Sequence, residues 1–231
     1  MLQTLTTFAL AAIPAIIAIT LHEAAHGYAA LALGDPTAKN QGRVSLNPLR
    51  HVDDVGTLIL PGVLILSQVL TIGRVAFLFG WAKPVPVSPW LFRDPRRGMM
   101  VVAAAGPAMN FLLAWLGALC LHGAALVPNQ PGLLLDGFLE FFILSNLVLG
   151  LFNLLPIPPL DGGRILVGLL PERMAEAYGR VERLGIFVVL AVVFLLPLGL
   201  SQFGIDWNPV GNALERIIPW AFGVVYALAG L

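Results

Sequence analysis

Two histidines and a glutamate stand close together in the first apolar stretch of the sequence, in the order His22-Glu23-Ala24-Ala25-His26. In a helix, positions i and i+4 share one face, so both imidazoles can reach the same metal ion. Glu23 lies beside the first imidazole, where its carboxylate can take a proton from a metal-bound water. This spacing is typical of a hydrolytic zinc site.

The sequence around this motif favours a metal site over two simpler explanations. The same pattern arises by chance on water-facing helices, and it could also be a polar patch between packed helices. However, residues 1–21 contain no charged side chain. Ionisable groups in such an apolar helix are costly unless they pair, bind ions or take part in chemistry. We therefore expect His22 and His26 to bind a metal.

A catalytic zinc usually has three protein ligands and a water, so a third ligand is needed. Residues 153–163 read NLLPIPPLDGG. The prolines should end a helix, and the glycines allow close approach of the backbone. Asp161 could point from this break at the metal, or it could cap a short helix over 162–170. His122 is a weaker candidate, which we expect either to lie at the membrane interface or to bond a neighbouring helix instead.

Composition indicates that lipid surrounds most of the chain. Residues of the set AVILMFWYC make up 58% of the sequence and charged residues 11%, against about 25% charged in a typical soluble domain. The net charge is zero, so nothing points to nucleic acid. We predict an all-α membrane protein, a polytopic bundle with short re-entrant or strand-like elements. Its hydrophobic segments, about six in number, are 4–33, 56–79, 99–127, 133–155, 184–204 and 209–229.

Basic residues cluster in the stretches 34–55, 80–97 and 171–183, and the positive-inside rule places all three in the cytoplasm. A full crossing by 56–79 would separate the first two. Either that segment enters and leaves on one side, or part of 80–97 re-enters the membrane. We favour re-entry, with the N-terminus outside, because the four prolines of 80–97 oppose a regular helix.

Five motifs in this order resemble the site-2 protease family of intramembrane zinc metalloproteases, in its compact prokaryotic branch without a regulatory domain. They are HEAAH at 22–26, GRVSLNPLRH at 42–51, FGWAKPVPV at 79–87, AGPAMN at 105–110 and NLLPIPPLDGG at 153–163. The resemblance implies one Zn²⁺ per chain, held by His22, His26 and Asp161. It implies Glu23 as general base and Asn153 as a donor to the oxyanion. We expect Asn110 to tie helices together near Gly106.

The resemblance implies a zinc-dependent endopeptidase that cuts within or near the transmembrane segments of other proteins. It further implies a multi-pass protein of the cell membrane, whose partners are the bilayer and membrane protein substrates. We expect a single domain over 1–231, with a catalytic core at about 1–170 and accessory helices at about 184–229. A zinc-binding transporter, a non-proteolytic scaffold and a hydrolase of lipid amides remain alternatives. The sequence does not indicate the substrate or the oligomeric state.

The proline-rich stretch suggests how an unwound substrate could bind. Pro84 and Pro86 share one side of an extended segment, so we expect the backbone N–H groups of Val85 and Val87 to be free. An extended substrate could then add to Lys83–Val87 as a neighbouring strand.

Overall fold

The computed structural model describes residues 2–73, 80–124, 126–182, 184–205 and 207–231. Over these residues the chain is helical, with no β-strand, which confirms the predicted all-α class. The α-helices are α1 Leu2–Ala32, α2 Thr37–Asn40, α3 Leu60–Ile72, α4 Pro95–Ala124, α5 Asn129–Asn153, α6 Asp161–Leu169, α7 Glu172–Glu182, α8 Gly185–Leu190, α9 Leu196–Ser201 and α10 Pro209–Ala229. Short 3₁₀ turns are Pro48–Arg50 and Pro89–Leu91, and π-helical turns are Asp54–Ile59 and Ala191–Leu195.

Four helical stretches within the described ranges are long and apolar enough to cross a bilayer. They are Leu10–Ala32, Asp54–Thr71, Pro95–Ala124 and Pro131–Asn153. A helix satisfies its own backbone hydrogen bonds, which lipid cannot do. The predicted segment 184–204 is instead a series of shorter helical pieces, and 209–229 is one helix of 21 residues. Whether these last two segments cross the membrane stays a prediction.

Helices α1, α4, α5 and α6 form the centre of the molecule, and α10 packs on the outer side of α4 and α5. The contact with α10 is built from small and branched side chains, namely Ala114, Ala118, Ile143, Leu147, Ala221, Val225 and Ala229. Small residues let helix backbones approach closely where no hydrophobic effect drives association. This contact leaves the opposite sides of α4 and α5 facing α1.

The polar stretches on either side of α3 come back together. Trp81 N–H donates to the carbonyl of Gly56 at 3.1 Å, and Lys83 N–H donates to the carbonyl of His51 at 2.9 Å. The chain that leaves at Gly56 has therefore returned by Trp81, which supports the alternative in which 56–79 enters and leaves on one side rather than the favoured re-entry by part of 80–97. This return lets both basic stretches share one side of the bundle, as the charge distribution requires.

The stretch from Gly80 to Ser88, called the extended stretch here because its prolines oppose a helix, has no regular secondary structure and runs beside α1. Gly27 allows this close approach: a Cβ there would lie 3.1 Å from a methyl carbon of Val44 and 3.4 Å from one of Val85. Within the described residues this stretch pairs with no strand, so the strand-like element expected here is not present as a paired strand.

Candidate metal centre

Three potential ligand atoms from two distant parts of the chain meet inside the bundle. The Nε2 atoms of His22 and His26 are 3.0 Å apart, and Oδ2 of Asp161 lies 3.1 Å from the first and 3.4 Å from the second. All three residues are buried. Ligands about 2.05 Å from a tetrahedral zinc are about 3.3 Å from one another. The triangle of these three atoms therefore matches one face of a zinc tetrahedron.

The outer nitrogen of each imidazole is bonded to an acceptor. Nδ1 of His22 lies 2.6 Å from Oδ1 of Asn110, and Nδ1 of His26 lies 2.7 Å from the carbonyl oxygen of Val102. Nδ1 therefore carries the proton in both neutral rings, and Nε2 presents a lone pair inward. Pro107, also in α4, cannot donate to the carbonyl of Ala103 and so interrupts the hydrogen-bond ladder of this helix one residue from Val102.

The inward-facing atoms fit a bound cation. Oδ2 of Asp161 is buried and accepts no hydrogen bond, since neither facing Nε2 carries a proton in the tautomers just described. Three lone pairs thus converge on one point in an apolar interior, where their mutual repulsion is strong. A proton on one imidazole would bond only some of these three lone-pair atoms, whereas a divalent ion would bind all three. Two imidazoles and one carboxylate are ligands typical of catalytic zinc.

The break between α5 and α6 places Asp161. Helix α5 ends at Asn153, as the following prolines predict, and α6 begins at Asp161 itself. The N-cap position is occupied by Leu160, with no side-chain cap, so the alternative in which Asp161 caps a helix over 162–170 is wrong. Its carboxylate instead turns to the imidazoles.

The glycine after Asp161 is required by packing rather than by its backbone angles. A Cβ on Gly162 would lie 2.2 Å from the carbonyl oxygen of Leu154 and 2.4 Å from that of Leu155. Neither atom can move without moving the end of α5. The glycine thus lets the start of α6 fold directly onto the broken end of α5, which holds Asp161 in place.

Glu23 is half-buried, and its Oε2 accepts a hydrogen bond from the backbone N–H of Val85 at 3.1 Å. The expectation that this N–H is free for a substrate strand is therefore wrong. The expected geometry failed because Glu23 lies one residue from His22 on α1 and faces the extended stretch. Glu23, the predicted general base, is thus directly connected to the proline-rich segment.

Arg43 and Asp35 fix the extended stretch from its other side. The buried guanidinium of Arg43 donates to the backbone carbonyls of Arg50, Lys83 and Pro84. The fully buried carboxylate of Asp35 accepts from the N–H of Ser88 at 2.6 Å. Burial alone would raise the pKa of Asp35, but hydrogen bonds from Ser88 and Thr37 lower it below its ordinary value. Asp35 therefore stays ionised and holds the stretch against the end of α1.

The remaining candidates from the sequence lie apart from this cluster. Asn153 donates from Nδ2 to the carbonyl of Leu149 in its own helix, at 3.0 Å, so a role at the oxyanion stays a prediction. Nε2 of His122 lies 2.9 Å from the carbonyl oxygen of Ala229 in α10, which agrees with the expected bond to a neighbouring helix. The structure brings His22, His26 and Asp161 together, and their role as ligands stays a prediction.

Sequence reasoning missed several residues that support the site. It assigned Asn110 only to helix packing and did not consider Asn146. It also gave no role to Asp35, Arg43 or His51. His51 is buried, with Nε2 at 2.9 Å from the carbonyl oxygen of Ser45. Asn146 stands in a stretch free of charge. A polar group in lipid is costly whether it is an amide or a charge. Asn146 could therefore have been identified from the sequence as a residue that needs a hydrogen-bond partner.

Taken together, the bundle and its site define a membrane protein with a buried centre of two imidazoles and one carboxylate. Residues 129–196 match the profile described as Peptidase family M50. The chain is 41% identical over 190 residues to "Putative zinc metalloprotease YwhC" of Bacillus subtilis, covering 80% of this chain and 79% of that protein. No solved structure matches the chain.

More distant relatives carry similar names. "Putative zinc metalloprotease Rip2" of Mycobacterium tuberculosis is 33% identical over 220 residues, covering 94% of this chain and 71% of the relative. "Zinc metalloprotease MJ0392" of Methanocaldococcus jannaschii is 32% identical over 113 residues, covering 48% of this chain and 31% of the relative. The chain belongs to peptidase family M50, which confirms the resemblance to site-2 proteases. The protein is a membrane metalloprotease with zinc as its cofactor.

Proposed function

We propose that this protein is an intramembrane endopeptidase, which hydrolyses peptide bonds within or near transmembrane segments of other membrane proteins. The observation that carries the proposal is the convergence of Nε2 of His22, Nε2 of His26 and Oδ2 of Asp161 inside a bundle of apolar helices. A hydrolytic site surrounded by such helices is reached most directly by a substrate that is itself in the membrane. We further propose that the protein is a multi-pass protein of the cell membrane.

In this proposal His22, His26 and Asp161 hold one zinc ion per chain. When bound there, such an ion would supply Lewis acidity and a water of lowered pKa, about 7. Glu23 acts as the general base, because it follows His22 directly on α1 and its half-buried carboxylate accepts from the N–H of Val85, in the segment along which we place the substrate. Asn153 remains a candidate donor to the oxyanion, which requires its side chain to leave the carbonyl of Leu149.

A substrate helix must unwind before cleavage, because its carbonyls are bonded within the helix. We propose that the unwound segment lies along Lys83–Val87, which is part of the extended stretch and adjacent to Glu23. A substrate carbonyl that accepts from the N–H of Val85 would take that donor away from Glu23. Substrate binding would then release the carboxylate to act as a base, which couples binding to chemistry.

The experiment that tests this function uses purified protein in lipid nanodiscs, with a single-span model substrate in the same bilayer. Cleavage and bound zinc are measured for the wild type, for Glu23→Gln and for the control Glu140→Gln, which alters an exposed carboxylate in α5. Since Gln cannot accept a proton, we expect Glu23→Gln to lose cleavage by at least about 10³-fold while keeping zinc. Glu140→Gln should cleave as the wild type does.

Two results would contradict the proposal. Cleavage by Glu23→Gln at the wild-type rate would show that this carboxylate is not the base. Zinc flux across proteoliposomes that persists in Glu23→Gln, with no cleavage by the wild type, would favour the transporter alternative.

Loss of zinc from Asp161→Ala, with zinc retained in Glu23→Gln, would separate the proposed ligands from the proposed base.

A further inference from the structure

Two buried asparagines connect the metal centre to α5. Asn110 in α4 and Asn146 in α5 both have no exposed surface. Nδ2 of Asn110 donates to Oδ1 of Asn146 at 2.9 Å and lies 3.5 Å from the carbonyl of Ala18 in α1. Nδ2 of Asn146 donates to the carbonyl of Phe142 at 2.8 Å. With Nδ1 of His22 at 2.6 Å from Oδ1 of Asn110, these groups form one continuous chain of hydrogen bonds.

The direction of every hydrogen bond in this chain is fixed at its far end. The carbonyl of Phe142 can only accept, so the NH₂ group of Asn146 must face it and Oδ1 of Asn146 must face Asn110. Asn110 then presents its own NH₂ group to Asn146 and its Oδ1 to His22. Oδ1 can only accept, so Nδ1 of His22 must carry the proton. The lone pair of His22 is therefore on Nε2, which faces Asp161 and His26.

The two imidazoles differ in how their tautomers are set. His26 bonds directly to the backbone carbonyl of Val102, which cannot reverse its role. His22 bonds to a side-chain amide, which can turn over and present NH₂ instead of oxygen. A flipped Asn110 would favour the proton on Nε2 of His22, where it would block metal binding. Without Asn146, only the long contact to Ala18 at 3.5 Å would oppose this flip.

We propose that Asn146 is a positioning residue of the metal centre, which fixes the amide of Asn110 and through it the tautomer of His22. Asn146 belongs to a different helix from either imidazole, and its side chain bonds to Asn110 and to the carbonyl of Phe142. It acts by orientation alone. The inference rests on the proposed ligand role of His22 and extends the site to α5.

The test compares two substitutions whose side chains have the same number of heavy atoms and the same branching as asparagine. Asn146→Leu removes both hydrogen bonds, whereas Asn146→Asp keeps an oxygen toward the amide of Asn110. Zinc affinity is measured by chelator competition on the purified protein in nanodiscs. We expect Asn146→Leu to bind zinc about 10–100-fold more weakly, and Asn146→Asp to remain close to the wild type. Leu147→Ala is the matched control, because it opens a cavity one residue away in the buried core of α5.

A second measurement reports the tautomer itself. Nitrogen-15 NMR of histidine-labelled, zinc-free protein should show the Nδ1–H form of His22 in the wild type and a mixture of both tautomers in Asn146→Leu. Equal zinc affinity in Asn146→Leu and the wild type would overturn the inference, as would an equal loss in Leu147→Ala. If the wild type itself binds no zinc, the proposed metal site fails instead, so the two failures are distinguishable.

Discussion

At the scale of single residues, the metal centre depends on a position that has no side chain. Gly106 in α4 faces both imidazoles: a Cβ there would lie 2.5 Å from Cε1 of His26 and 2.6 Å from both Cε1 and Nε2 of His22. Real Cβ contacts are not this short, so any larger residue would push on the rings. Both rings are held by bonds from Nδ1 and cannot turn away without losing them.

Gly106→Ala should therefore weaken zinc binding without unfolding the bundle. The expected loss is about 10–100-fold in affinity, the range seen when support for a ligand is disturbed, measured by chelator competition. Gly123→Ala is the control, since it lies in the same helix with open space where its Cβ would be. If both variants bound zinc as the wild type does, the packing of Gly106 against the imidazoles would have no effect on the site.

At the scale of elements, the extended stretch is positioned by polar groups rather than by apolar packing. Arg43 reaches it from the loop after α2, Asp35 from the end of α1, and Glu23 from the middle of α1. Each of these groups bonds to the backbone of the stretch. This suits a segment whose prolines remove donors and prevent a helix, because its remaining backbone groups still need partners.

Arg43→Ala should loosen Lys83–Val87 while leaving the ligand atoms in place. Hydrogen bonds from a charged group are worth about 1.5–3 kcal/mol each, so cleavage of a model membrane substrate should fall by about tenfold or more. The zinc content should stay at the wild-type level. Arg93→Ala, at an exposed arginine outside the stretch, is the control. Loss of zinc in Arg43→Ala would assign this arginine to the metal centre rather than to the extended stretch.

At the scale of the whole molecule, the charged stretches gather at one end of the bundle. The hydroxyl of Thr37 bonds to that of Ser88 at 2.9 Å, and Ala30 packs with Phe92. Beyond them the chain enters α4, whose first turn faces α7. A cavity of about 620 Å³ lies between the first turn of α4 and α7. It is lined by Asp94, Arg96, Arg97, Val167, Glu172, Ala175 and Glu176. This arrangement agrees with one cytoplasmic side for all three basic stretches.

Cysteine labelling tests this orientation. In a Cys120→Ala background, which removes the single native cysteine, Lys39→Cys, Arg96→Cys and Glu176→Cys should all react with a membrane-impermeant thiol reagent only from the cytoplasmic side. We expect this because the structure places the three basic stretches that contain these residues at the same end of the bundle. Labelling of any one of these positions from outside would show that the chain between them crosses the membrane differently.

Local patterns in the sequence are enough to predict the candidate metal site and the helices that present it. The spacing of His22 and His26 requires a shared helix face, and the prolines before Asp161 require a break, because both follow from local backbone geometry. The apolar composition likewise determined a helical membrane protein, since lipid leaves few other ways to satisfy the backbone.

The partner that each of these groups faces follows from how the helices pack. His22 and Asn110 are 88 positions apart, and Glu23 and Val85 are 62 apart, so no local pattern pairs them. The same asparagine could have tied helices together anywhere along α4. The packing of α1 against α4 and α5 brought it to an imidazole instead. Periodicity identifies which face of a helix is buried, but the partner on that face depends on how whole helices are arranged.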